Sequence, residues 1–324
     1  MEIEFYAPVI ILTLNRFDHF RKCVESLSQC KHADKTELVI GLDYPPNDKY
    51  VDGYVLIKEY IPSIKGFKKI TILQHQKNLG PERNWEACEE YCFQKYDNYI
   101  FTEDDNVFSP AFLDFMNKSL QRFSQDTNVL SVSGYSHEMC YDQVENTYFC
   151  YNATAWGLGL WKSKKIDINR IFMTNEYFEN KLHRVTQIFK LFVKAPGLIP
   201  MLLDLKDWKI CDVKLSVYNI FEDKYQFRPT ISLVRNCGQD GSGLHSGFSK
   251  AEKTQNMQDS EIFIFGDSIG SPNSFVCRKL YRENGMPNGK LARIKTKLWI
   301  ISRVIKYRIN ENHIRSSKFL LKQV

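Results

Sequence analysis

The chain has 324 residues, of which 43% are hydrophobic, 14% aromatic and 25% charged, with a formal net charge of +6. Such a chain can bury a substantial core, either as one large domain with an appendage or as two domains. The composition excludes a disordered polymer and a membrane bundle, and no run approaches the ~18 apolar residues of a spanning helix.

Met1 to Phe5 lacks the basic-then-apolar pattern of a secretory leader, so the protein is expected to stay on the side of the membrane where it is made. Nine cysteines, at 23, 30, 88, 92, 140, 150, 211, 237 and 277, are scattered and odd in number. They are expected to be reduced packing thiols rather than a disulfide frame or a zinc site.

Along the chain, Pro8–Leu14 is a nearly continuous apolar run, as a strand buried on both faces requires. Phe17, Phe20, Val24 and Leu27 then recur at helical spacing. Glu37–Leu42 predicts a second strand ending at Asp43, with a Pro-Pro turn behind it, and Ile70–Leu73 a third. Gly80-Pro81 opens a helix. Asn98–Thr102 predicts a fourth strand, which delivers Glu103-Asp104-Asp105 at its carboxyl end. Ser109-Pro110 is expected to cap a helix running to Phe123, and Val129–Val132 forms a fifth strand.

This alternation predicts an α/β fold with a mainly parallel sheet flanked by helices. Ligands of such sheets bind at the carboxyl ends of strands, where Asn15, Asp43 and the acidic cluster all fall. The second half is less regular. Tyr148–Trp161 is aromatic and glycine-rich, as a site-lining segment would be. Asp207–Phe221 predicts a helix, Arg228–Val234 a strand, and Gly238–His245 a glycine-rich loop.

Three adjacent carboxylates repel one another unless a cation compensates them, and oxygen ligands suit Mg²⁺ or Mn²⁺ with places left for a diphosphate. The competing reading is a solvated acidic loop. His245 could complete a metal shell or contact phosphate, or be a surface residue. Asp212, ahead of an apolar helical face, is a candidate general base or an ordinary helix-start acid. Arg16 and Arg83 are candidate phosphate ligands, and Trp156, Trp161 and Tyr151 could stack on a sugar or pack in the core.

From Asn284 to Asn310 there is no acid, whereas Lys290, Arg293, Lys295, Lys297, Arg303, Lys306 and Arg308 are basic. Apolar residues at 291, 294, 298, 301 and 305 complete the pattern of a helix lying on an anionic membrane. No nucleic-acid-binding motif accompanies the patch.

Taken in order, Pro8–Arg16 (PVIILTLNR), Asp43, Asn78-Leu79-Gly80 and Glu103-Asp104-Asp105 resemble the nucleotide-binding half of GT-A-fold glycosyltransferases, including bacterial family 2 enzymes. The segment Trp156–Trp161, the pair Trp208 and Asp212, and the loop ending at Gly247 are similar to inverting N-acetylglucosaminyltransferase I. The likeness spans roughly residues 6 to 250, and the stretch from Ile168 to Asp207 matches nothing in it.

The resemblance implies a nucleoside pocket lined by Thr13, Asn15, Arg16 and Asp43, with Asp43 facing the base. Glu103 and Asp104 would contact ribose and sugar, Asp105 would hold Mn²⁺ or Mg²⁺ on the diphosphate, and His245 would sit near the metal. Asp212 would be the catalytic base. Glu-Asp-Asp departs from the common Asp-x-Asp form.

The expected organisation is a GT-A catalytic domain over 1–250, split into a nucleotide-binding half (1–135) and an acceptor half (136–250), then a basic, partly helical extension over 251–324. The expected function is inverting, metal-dependent transfer from a nucleotide-sugar, by resemblance a UDP-sugar, to a glycan or lipid-linked saccharide. A cytoplasmic location, peripheral on the inner membrane face, in surface polysaccharide assembly, goes with it. The alternatives are a sugar nucleotidyltransferase, which would normally carry a glycine-rich loop where Thr13–Phe17 stands, and a non-catalytic sugar-binding or membrane-associated protein.

Overall fold

A computed structural model describes residues 2–137, 146–164, 167, 176–182, 184–203, 211–238, 240–241, 255–258, 262–263, 272–273, 276–277, 279, 287 and 289–320. Two compact units emerge. The first comprises residues 1–149, 154–165 and 226–270, and the second 150–153, 166–225 and 271–324.

The first unit opens with β1 (Val9–Thr13), α1 (Phe17–Ser28), β2 (Glu37–Leu42), α2 (Val51–Tyr60), β3 (Lys69–Gln74) and α3 (Gly80–Phe93). It continues through β4 (Asn98–Glu103), β5 (Asn106–Phe108), α4 (Phe112–Arg122), β6 (Val129–Ser133), β7 (Thr147–Cys150) and β8 (Leu158–Trp161). After an excursion into the second unit, β9 (Tyr225–Pro229) and β10 (Val234–Asn236) return to it.

Eight strands form one sheet in the order β3-β2-β1-β4-β8-β6-β9-β7. The neighbours β3, β2, β1 and β4 are parallel, and β8 runs antiparallel to both β4 and β6. β6 therefore runs in the direction of the parallel set, and the expected α/β sheet is present. All six residues of β2 are buried, as a central strand covered on both faces demands. Edge strand β3 instead mixes exposed and half-buried positions and carries Lys69.

Helix α1 buries Phe20, Cys23, Val24 and Leu27, the spacing legible in the sequence. Helix α4 starts at Phe112 rather than at Ser109-Pro110, and Ala111 is its N-cap. The Ser109 hydroxyl instead donates to the Gln258 carbonyl and accepts from the Ala111 amide at 3.3 Å.

Tyr148–Trp161 departs from the expected site-lining segment. It contains most of β7 and all of β8, whose four residues are buried within the sheet. A Cβ on Gly159 would meet Met116 Cε at 3.0 Å, so this glycine gives α4 room to pack. Trp161 is buried, and its indole Nε1 donates to the Leu120 carbonyl at 2.9 Å, which assigns it to the core rather than to a sugar platform. Trp156 is half-buried and stands edge-on to Tyr135. The cysteines whose side chains are described are free thiols.

The second unit carries α5 (Glu176–Leu182), α6 (Val185–Lys194), α7 (Leu198–Leu203), α8 (Cys211–Glu222) and α9 (Lys290–Leu320). Helix α6 packs on α8, and α9 on α7. Tyr151 belongs to this unit, where its hydroxyl accepts from Lys194 Nζ at 2.6 Å. No helix among the described residues is long and apolar enough to cross a membrane.

Candidate active site

The parallel register sets the carboxyl ends of β1, β2 and β4 side by side, with Leu12 opposite Glu103 and Thr13 opposite Leu42. Strand β4 stops at Glu103, and Asp104-Asp105 turn the chain into β5, which pairs antiparallel with β10. That second pairing clamps the turn. The Cys237 amide donates to the Asp105 carbonyl at 2.8 Å, and Asn236 Nδ2 donates to Asp105 Oδ1 at 2.9 Å. Asn236 is itself fixed, because its Oδ1 accepts the Gly238 amide at 3.0 Å.

Asp104 and Asp105 are both buried, at 3% and 7% exposure. Arg16 lies between them, with Nη2 bonded to Asp104 Oδ1 and Nη1 donating to Asp105 Oδ2 at 2.7 Å. Thr13 Oγ1 donates to the remaining Asp104 oxygen at 2.9 Å. Among the described residues, one guanidinium thus faces two buried carboxylates. Burial pushes the Asp104 carboxyl above its ordinary value, with the Asp105 charge adding to the effect and Arg16 opposing it. Burial also disfavours the Arg16 charge, but the two carboxylates outweigh that and hold it firmly protonated. The nearby Cys23 thiol is pushed well up by burial and the same acids, which keeps it inert.

Space around Asp105 is tight. A Cβ on Gly238 would stand 2.1 Å from Asp105 Oδ2, so this approach suits a residue without a Cβ. The loop beyond Gly238 is held to α1, because His19 Nε2 and Asp240 Oδ2 pair at 2.9 Å. His245 lies outside the described residues, as does Trp208.

The other expected residues fall as follows. Asn15 is half-buried in the turn after β1, and its carbonyl accepts from the Phe17 amide at 3.1 Å. A Cβ on Gly53 of α2 would come within 1.9 Å of the same carbonyl, so α2 packs directly on this turn. Asp43 is buried at the end of β2. Its Oδ1 accepts from the amides of Tyr44 (2.8 Å) and Leu79 (2.9 Å), and its Oδ2 from the Gly80 amide (2.9 Å) and Asn78 Nδ2 (3.2 Å). The carboxylate thereby anchors the start of α3 and the Asn78–Gly80 corner. Arg83, in the first turn of α3, and Glu103, at the tip of β4, are exposed. Asp212 is half-buried in the first turn of α8, in the second unit.

The structure therefore brings Thr13, Arg16, Asp104 and Asp105 into one hydrogen-bonded cluster and gives Asp43 a neighbouring structural corner. Sequence reasoning missed Asn236 and His19, and named Asp240 only as part of the glycine-rich loop. A lone asparagine in a three-residue strand, and a histidine on an amphipathic helix, carry no local signal of such partners.

Among the described residues no group of three His, Cys, Asp or Glu side chains forms a protein-only metal cage. Mg²⁺ and Mn²⁺ do not require one, being held by one or two carboxylates together with substrate phosphates. A buried Asp104–Asp105 pair that faces a single guanidinium among the described residues suits that mode.

No family model matches this chain, and no curated protein sequence matches it. Among solved structures it is similar to S. aureus TarS, at 14% identity over 46% of this chain and 25% of that one, with a TM-score of 0.32. TarS 1-349 in complex with UDP-GlcNAc is matched at 12% identity over 51% of this chain and 48% of that one, TM-score 0.37. The mannosyltransferase PcManGT from Pyrobaculum calidifontis, in complex with GDP-Man and Mn²⁺, is matched at 14% identity over 52% and 50%, TM-score 0.37. This chain thus spans a quarter of the first of these chains and about half of the other two.

Proposed function

We propose that the chain is a GT-A-type glycosyltransferase, transferring a sugar with inversion from a nucleotide-sugar, by resemblance a UDP-sugar, to a glycan or lipid-linked saccharide. The observation that carries this is the buried Asp104–Asp105 pair at the carboxyl end of β4, bridged by Arg16 from the end of β1. Acids at that edge of a parallel sheet stand where α/β sheets bind ligands. The turn after β1 presents Asn15 and Arg16 rather than a glycine-rich phosphate loop, which favours transfer over nucleotidyl chemistry.

In this reading Asn15 and the Asp43–Gly80 corner line the nucleoside pocket. Glu103 and Asp104 contact ribose and sugar, with Thr13 fixing the orientation of Asp104. Asp105, held from behind by Asn236, is the residue to hold Mn²⁺ or Mg²⁺, with His245 as a second candidate. When bound, such a cation offsets the negative charge developing on the departing diphosphate. Arg16 and Arg83 supply guanidinium groups for phosphate oxygens. Asp212 is the base, taking the acceptor hydroxyl proton as that oxygen attacks the anomeric carbon. A cytoplasmic place at the inner membrane face, in surface polysaccharide assembly, fits a lipid-linked acceptor.

The test is nucleoside diphosphate release from UDP-, GDP- and dTDP-sugars with Mn²⁺, with and without lipid-linked glycan acceptors. Release from one donor that needs the metal and disappears in Asp105→Ala supports the reading. Full transfer by Asp212→Asn would remove Asp212 as the base. Silence with every donor and acceptor, together with no nucleotide binding, would sink the whole reading.

A further inference from the structure

Two helices of the second unit leave apolar stripes uncovered. On α9, Leu291, Ile294, Leu298, Ile301 and Ile305 are all exposed, Leu298 at 61%. At 3.6 residues per turn they fall within roughly 80° of arc. The opposite side of the helix packs inward, with Ile300 at 1% exposure and α7 as its neighbour. On α6, Val185, Phe189 and Val193 recur every fourth residue and are likewise exposed, Phe189 at 65%, while Leu191 faces the interior. The helices are adjacent, because Lys297 Nζ lies 5.6 Å from the centre of the Phe192 ring.

Charge chooses the occupant. By helical geometry Lys290, Lys297 and Arg308 border one side of the α9 stripe, and Lys295 and Lys306 the other. The sequence holds no acid between Asn284 and Asn310. On α6 the lysines 190 and 194 pair with Asp223, so α6 contributes apolar surface beside the cation-bordered stripe of α9. An apolar stripe bordered on both sides by cations matches the boundary between acyl chains and anionic headgroups. Neither helix can span a bilayer, so the fit is to lie along its surface.

We propose that α6 and α9 together form a docking surface for an anionic lipid bilayer, with α6 as an apolar contributor that the tail sequence alone does not reveal. Vesicle binding needs neither donor nor metal, so it can succeed or fail independently of sugar transfer.

The experiment is co-sedimentation of the full chain with phosphatidylcholine vesicles with and without phosphatidylglycerol, at low and high salt. Binding is expected to the anionic vesicles and to weaken with salt. Leu298→Glu is expected to lower partitioning roughly tenfold, and the neutralising changes Lys295→Gln and Lys306→Gln roughly fivefold each. Phe189→Glu, on the other helix, should also lower it roughly tenfold. All four side chains are exposed or border solvent, and unchanged thermal melts would certify folding. Absence of binding to anionic vesicles overturns the proposal, as does a Phe189→Glu variant that binds like wild type. Self-association that the same substitutions abolish, without vesicle binding, would give the face to a second copy and overturn it as well.

Discussion

Gly238→Ala probes the geometry of the acidic cluster most sharply. The added methyl would stand 2.1 Å from Asp105 Oδ2 and 2.7 Å from its Cγ, where about 3 Å is the closest a real Cβ comes. Asp105 cannot yield freely, because Arg16 and Asn236 hold its two oxygens. A displacement of about 1 Å must therefore be shared between the carboxylate and the loop, at a cost of roughly 2 kcal/mol. Removing the obstacle tests this directly. In an Asp105→Ala background the near oxygens are gone, and Gly238→Ala should cost under about 0.5 kcal/mol. Urea denaturation of the four proteins would then give a coupling energy of roughly 1.5 kcal/mol. If the proposed transfer holds, a misplacement of about 1 Å in the Asp105-containing chain should lower kcat on the order of a hundredfold. Additive stabilities, or wild-type turnover by Gly238→Ala, would refute the reasoning.

Three further outcomes follow from the same structure. Arg16→Met leaves Asp104 and Asp105 buried without their cation and is expected to lose about 3 kcal/mol of stability in chelator, partly recovered by Mn²⁺, as read by thermal melts. Burial opposes the Glu37 charge, but bonds from Thr71, Tyr96, Lys69 and Tyr91 outweigh it and lower its pKa from 4.5 to about 2. Its folded value being the lower, Glu37 stabilises fully above the unfolded pKa, and that contribution, roughly 2 kcal/mol, disappears as pH falls from 4.5 towards 2. Glu37→Gln should flatten this acid limb in urea melts, and an unchanged limb would remove Glu37 as its cause. Trp161→Phe is expected to cost about 1–2 kcal/mol through the lost bond to Leu120 and lost ring volume, with transfer per folded molecule unchanged. A selective loss of substrate affinity would instead return Trp161 to a sugar-binding role.

The parallel half of the sheet was legible because its strands are continuous apolar runs ended by polar residues, as at Asp43 and Glu103. Helix α1 was legible from Phe17, Phe20, Val24 and Leu27. Helix α2 was not: it buries Tyr54 and Ile57 but also exposes Val51, Val55 and Leu56, so apolar residues on both sides blur its period, and Gly53 in its first turn answers to the Asn15 carbonyl. Strand β5 is three residues long and exists only through pairing with β10, far along the chain. Glycines 157 and 159 helped make Tyr148–Trp161 look like a site-lining segment, whereas they leave room for Phe112 and Met116 against a packed sheet. At the site, the carboxylates announced themselves as a run of like charge at a strand end. All their partners reach them through tertiary structure: Thr13 and Arg16 stood out because they lie at the end of β1 and in the turn behind it, whereas Asn236 and Gly238 sit in a segment with no such strand-end signal.

The most direct measurement is calorimetric titration of UDP and GDP into the wild-type chain and Asp105→Asn, each with Mn²⁺ and with chelator. The account predicts binding of one nucleoside diphosphate to wild type with Mn²⁺, and its loss both in chelator and in the variant. Failure of wild type to bind either nucleotide with the metal present, or equal metal-dependent binding by Asp105→Asn, would contradict it.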